Sequence, residues 1–179
     1  MGGSRRLTIW MRKVLVPVDG SRASDCAVRH VIMESKATDS FDIHLLNVQS
    51  PLRRHVAQFL NRATRDSFYR DESEKALRPA RAMLENAGIP YLFHAGIGPP
   101  AEIIAEKALQ LGCDHIVIGT ARKSSLTRAI ESSVTNRVLE ITRVPVVVIA
   151  GDKASVAERY AVPAAVGGAL ALLLFSAVD

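Results

Sequence analysis

Short apolar runs alternate with longer amphipathic stretches between residues 12 and 150. Val14-Leu15-Val16-Pro17-Val18 is continuously apolar, the pattern of a strand buried on both faces. Asp19-Gly20-Ser21 turns the chain, and Ser21 suits the cap of a helix carrying Ala27, Val28, Val31 and Ile32 at helical spacing. A second strand is predicted over 43–48. Residues 51–70 are polar, basic and poorly periodic, which predicts a variable loop or short helix. A long helix follows over roughly 71–87, closed by Gly88, with Pro79 as a point of kinking. A third strand is predicted over 89–93. Pro99-Pro100 open a helix through Ile104, Ala108 and Leu111 that Gly112 closes. A fourth strand, 114–118, leads through a polar loop, 120–131, into a helix with Val134, Val138 and Ile141 on one face. The fifth strand is predicted over 144–149, and Pro145, lacking an N–H, fits the start of an edge strand.

Strands and helices in strict alternation imply a doubly wound parallel sheet with right-handed crossovers. Five strands give the order 3-2-1-4-5. In such sheets ligands bind outside the carboxyl ends of the strands, where the order reverses. That point lies between strands one and four, at Asp19 and Gly119.

Composition narrows the core. Aromatic residues make up 5% of the chain and apolar residues 48%, so the interior is built from Val, Ile, Leu and Ala. The two cysteines, Cys26 and Cys113, form no C-x-x-C pair and no metal-ligand spacing, and read as reduced thiols on the core side. Net charge is +5, much of it from Arg53, Arg54, Arg62, Arg65 and Arg70. Aromatic residues do not interleave with them in the manner of an RNA-binding sheet, so a solvated basic face comes first, attraction to anionic lipid second and nucleic acid last.

The ends of the chain read differently from its middle. Residues 1–11 form a disordered lead-in, with Met11 as an alternative start. Arg5-Arg6 is not followed by an export-type apolar run, because Arg12 and Lys13 interrupt it. Gly2 lacks the Ser or Thr that acylation at that position prefers, since Arg6 stands there. Residues 151–160 form a hydrophilic linker. From Ala161 to Val178 no charged residue occurs. Such a run reaches the lower end of the span length, about 17–25 residues. The expectation is an apolar helix that anchors the domain to a membrane, with packing on the domain or on a partner as the alternative. Lys153 and Arg159 precede it, consistent with a domain on the cytoplasmic side.

Three segments carry a family resemblance. They are Lys13-Val14-Leu15-Val16-Pro17-Val18-Asp19-Gly20-Ser21, Gly98-Pro99-Pro100-Ala101-Glu102-Ile103-Ile104, and Asp114-His115-Ile116-Val117-Ile118-Gly119-Thr120 with the later Arg143-Val144-Pro145-Val146-Val147-Val148. In this order and spacing, over residues 12–150, the chain resembles the universal stress proteins. The resemblance implies a flavodoxin-like domain of the adenine nucleotide α-hydrolase-like type, a homodimer through the edge strand 144–149, and an acidic residue, Asp19, near an adenosine. It also implies an adenine pocket lined by Pro17, Val18 and Val48, with Gly119, Ser133 and Val134 beside the phosphates. Without a ligand, Asp19 would still accept turn N–H groups, and the apolar residues would still be buried.

ATP-binding members carry Gly-x2-Gly-x9-Gly-Ser/Thr after strand four. Glycines let backbone N–H groups approach phosphates, and the next helix N-terminus favours an anion. Here the matching positions are Gly119, Arg122, Ser132 and Ser133. Two readings follow. In the favoured one, the Arg122 and Ser132 side chains fill the phosphate space and ATP binding is weak or lost. In the other, the Arg122 guanidinium pairs with a phosphate and the Ser132 hydroxyl donates to it. Ser132 and Ser133 also suit a plain helix cap. His30, His44, His55, His94 and His115 are scattered and form no nucleophile arrangement; His44 and His115 read as structural strand histidines. No metal is expected beyond magnesium carried by a nucleotide. The chain thus reads as a stress-related binding and signalling module acting through dimerisation and partner contacts. The alternative is an ATP or adenosine nucleotide sensor with a modified phosphate site.

Overall fold

The computed structural model describes residues 11–38, 41–52, 58–120 and 133–151. Five strands and four helices alternate: β1 (Arg12–Pro17), α1 (Arg22–Thr38), β2 (Phe41–Gln49), α2 (Arg62–Ala87), β3 (Tyr91–Ile97), α3 (Pro100–Leu111), β4 (His115–Thr120), α4 (Ser133–Ile141) and β5 (Val146–Ala150). All neighbouring strands are parallel, in the order β3-β2-β1-β4-β5. This is the predicted doubly wound, flavodoxin-like sheet.

Strand alternation splits the core into two layers. Val14 and Val16 of β1 and Ile43 and Leu45 of β2 face α1 and α2, where Val28, Val31, Leu77 and Leu84 meet them. Leu15 and Leu46 point the other way, against Ile104 and Ala108 of α3 and Val138 of α4. A central strand with both faces covered must be apolar throughout, which is why β1 reads as a continuous run.

Helix ends follow their local chemistry. The Ser21 hydroxyl accepts the Ser24 N–H at 3.2 Å and caps α1. Pro99 and Pro100 start α3, and Gly112 ends it in the left-handed conformation at φ 64°. The α2 helix corrects the sequence reading at its start. It begins at Arg62, inside the segment read as a loop or short helix, because the Asn61 side chain accepts the Thr64 N–H at 2.8 Å. It also continues through Pro79 as one 26-residue element. The third strand lies at 91–97 rather than 89–93, since β2 runs on to Gln49 and pairs it with Ile97. Among the described residues no helix is long and apolar enough to cross a membrane. The apolar run 161–178 lies outside them, as do the linker beyond Gly151 and the lead-in up to residue 10.

Candidate functional site

Every strand in this sheet delivers its carboxyl end to one edge, and every following helix starts there. Between the ends of β1 and β4 a cavity of about 570 Å³ opens. Its apolar wall comes from Pro17 and Val18 of β1 and its exit, Leu46 and Val48 of β2, Ile104 of α3 and Ile118 of β4. Its polar rim comes from Asp19, Ser21, Arg22, Thr120 and Thr135. The first turns of α1, α3 and α4 reach it through Ala23, Pro100 and Val134. Three helices begin at this space, and the positive ends of their dipoles give an environment that favours an anion.

The acidic turn is fixed locally. Asp19 Oδ1 accepts the Ser21 N–H at 2.9 Å, and Gly20 takes a φ of 79° that a side chain would resist. Gly119 is a glycine for a packing reason. It lies within β4, and a methyl group on it would overlap the Ala23 carbonyl and come within 2.8 Å of the Ser24 N. Its lack of a side chain lets the first turn of α1 rest on the strand.

Of the residues singled out in the sequence, the fold brings Pro17, Val18, Asp19, Val48, Gly119 and Val134 together around this cavity. Ser133 heads α4. Arg122 and Ser132 lie outside the described residues. Sequence reasoning missed Leu46, Ile104, Ile118 and Thr135. The first three read as plain core positions, and only the closed sheet shows that they stop at its carboxyl edge.

Away from this site, several titratable groups are buried in the fold. His44, 3% exposed, sits on the α3 face of β2 with its Nδ1 2.8 Å from His94 Nε2 on β3. Its Nε2 lies 3.2 Å from Asp42 but outside hydrogen-bonding geometry. Burial, then the neighbouring His44 and Lys107, hold His94 below the ordinary imidazole pKa, and burial does the same to His115. Burial pushes the Cys113 thiol up to about 11, which disfavours a reactive thiolate. Cys26 is likewise buried, and its sulfur accepts from the Arg29 guanidinium at 3.0 Å. Among the described residues no group of three or more His, Cys, Asp or Glu could hold a metal ion.

The lowered histidines give a pH prediction. Below about pH 6.5 the unfolded chain takes up protons at these positions before the folded one does. Stability is therefore full above that pH and falls as the pH drops toward the lowered folded values. Urea midpoints at pH 7.5 and 5.5 measure this. The midpoint is expected to be lower at pH 5.5, and His94→Gln with His115→Gln should flatten the difference. An equal midpoint at both pH values would refute it.

A five-stranded parallel sheet in this order, with helices on both faces and a cavity at its switch point, defines a flavodoxin-like α/β domain. Residues 11–150 match the universal stress protein family, and the chain belongs to that family. A universal stress protein of Methanocaldococcus jannaschii is 29% identical over 148 residues, covering 79% of this chain and 84% of the relative. The solved structure of the hypothetical protein MJ0577 superposes with a TM-score of 0.64 at 26% identity, over 82% of this chain and 100% of that one. A universal stress protein family member from Arabidopsis thaliana, solved with AMP bound, gives a TM-score of 0.57 at 18% identity, over 79% and 92% of the two chains.

Proposed function

We propose that the domain binds an adenine nucleotide in the cavity between β1 and β4 and acts as a nucleotide-responsive binding and signalling module. One observation carries this: the cavity joins an apolar wall sized for a small molecule to a rim where three helices begin. A flat apolar base suits the wall, and a phosphate suits the rim. The AMP complex of the Arabidopsis relative is consistent with it. Arg122 and Ser132 replace two glycines of the ATP-binding pattern, so room for further phosphates is reduced.

Calorimetric titration of the full chain with AMP and with ATP tests the reading. AMP is expected to bind with a Kd in the micromolar range and ATP at least several-fold more weakly. Equal or tighter ATP binding would refute the reduced phosphate space and make Arg122 a phosphate ligand. Absence of heat with either nucleotide at millimolar concentration would overturn the nucleotide reading.

A second reading, a protein-interaction module, is favoured by the outer edge of β5. That strand carries no charge, and Val147 and Val148 are exposed on it, so pairing with a second copy would cover an open edge. Attachment to a membrane through 161–178 belongs to the same proposal. Sedimentation and flotation with lipid vesicles measure these two properties, and a monomer that stays with the soluble fraction would remove both.

A further inference from the structure

β1 and β2 separate at the cavity, and a buried side chain stands where they part. Their last rung pairs Pro17 with Leu46, and the Val18 N–H still donates to the Leu46 carbonyl at 2.8 Å. In a continuing parallel ladder the Val18 carbonyl would next receive a backbone N–H from β2. The bond made there comes from a side chain: Asn47 Nδ2 donates to the Val18 carbonyl at 2.7 Å. Asn47 is 1% exposed and points toward α2, opposite to Leu46 and Val48. Its Oδ1 accepts from the Ser73 hydroxyl at 2.9 Å and from Gln49 Nε2 at 2.8 Å. A carbonyl only accepts, so the carboxamide nitrogen must face Val18 and the oxygen must face Ser73.

We propose that Asn47 is a positioning residue of the cavity. It holds the Val18 carbonyl where the ladder stops, and so aims the Val18-Asp19-Gly20 turn that forms one wall. Through Ser73 it ties that wall to α2, which also touches the turn directly: the Cα of Ala76 lies 3.2 Å from where a Gly20 Cβ would stand. The site needs a donor and an acceptor in one small buried group. Asparagine supplies both, whereas aspartate would set a carboxylate oxygen against the Val18 carbonyl. The consequence for ligand binding rests on the nucleotide reading; the consequence for the turn does not.

The test uses the full chain with Asn47→Asp and Ser73→Ala, and reads native-state hydrogen exchange alongside AMP titration. Asn47→Asp is expected to speed exchange at the amides of residues 19–24 by about tenfold or more while β4 and β5 keep their protection. AMP affinity should fall by about tenfold or more, and by about threefold for Ser73→Ala, which leaves the bond to Val18 in place. Unchanged exchange in the turn, or exchange raised equally across the whole sheet, would overturn the proposal. So would AMP affinity equal to wild type in a folded Asn47→Asp. If the wild-type chain binds no AMP, the nucleotide reading fails and the exchange pattern still decides the role of Asn47. If Asn47→Asp does not fold, Asn47→Ser, which keeps a shorter donor, is measured the same way with the same outcomes.

Discussion

Gly119→Ala is expected to destabilise the domain by about 3 kcal/mol, as overpacking against unyielding atoms does. The new methyl group would meet main chain, the Ala23 carbonyl and the Ser24 N, rather than a side chain able to rotate away. Relief requires α1 to lift from β4, and α1 carries Ala27, Val28 and Val31 into the core. Thermal unfolding should show a midpoint about 6–12 °C lower, by the usual scaling for a chain of this size. Gly112→Ala is the control. Gly112 has open space around it but a φ of 64°, so its cost is the backbone strain alone, about 1 kcal/mol. A Gly119→Ala midpoint no lower than that of Gly112→Ala would refute the packing account. Gly119 is also the one glycine retained from the ATP-binding pattern, and the fold requires it there with or without a phosphate.

Leu45→Ala and Leu46→Ala should each cost about 2–5 kcal/mol, the range for emptying a close-packed site. Both side chains are fully buried, yet they are neighbours on opposite faces of β2. Leu45 packs in the layer under α1 and α2, whereas Leu46 packs under α3 and lines the cavity. Their stabilities should therefore fall together while their ligand affinities diverge. AMP affinity of Leu45→Ala should stay near wild type well below its unfolding transition, and that of Leu46→Ala should drop. Chemical denaturation and calorimetry on the two variants check this. Equal affinities would place the bound ligand elsewhere than against Leu46.

The sheet order was legible because its signals are local. The runs at 14–18 and 116–118 are apolar without a break, 43–48 is apolar except at His44 and Asn47, and a helical pattern separates each run from the next strand. The start of α2 was not legible because its first two turns contain no buried residue. Its buried stripe is Ser73, Leu77, Ala80 and Leu84, and from Arg62 to Glu72 the helix meets mostly solvent. Charge pairs such as Arg62 with Asp66 support that stretch, and they leave no apolar period in the sequence. The end of β3 was hidden similarly, since His94, Ala95 and Gly96 have weak strand preference and are held by pairing with β2. For the site, motif and turn residues could be named in advance. Asn47 could not, because its partners Val18 and Ser73 are distant in sequence and meet only when the sheet and α2 close.

Gly151, just past β5, donates its N–H to the Thr120 carbonyl at 2.7 Å, and Thr120 lines the cavity. The chain therefore leaves the sheet at the mouth of the cavity rather than at its back. Residues 152–160 can span at most about 30 Å when fully extended. If the run 161–178 is held on any surface, that length sets the greatest clearance between the surface and the mouth. A small solute passes such a gap freely, whereas a bulky partner approaching the same mouth would have to fit beneath it.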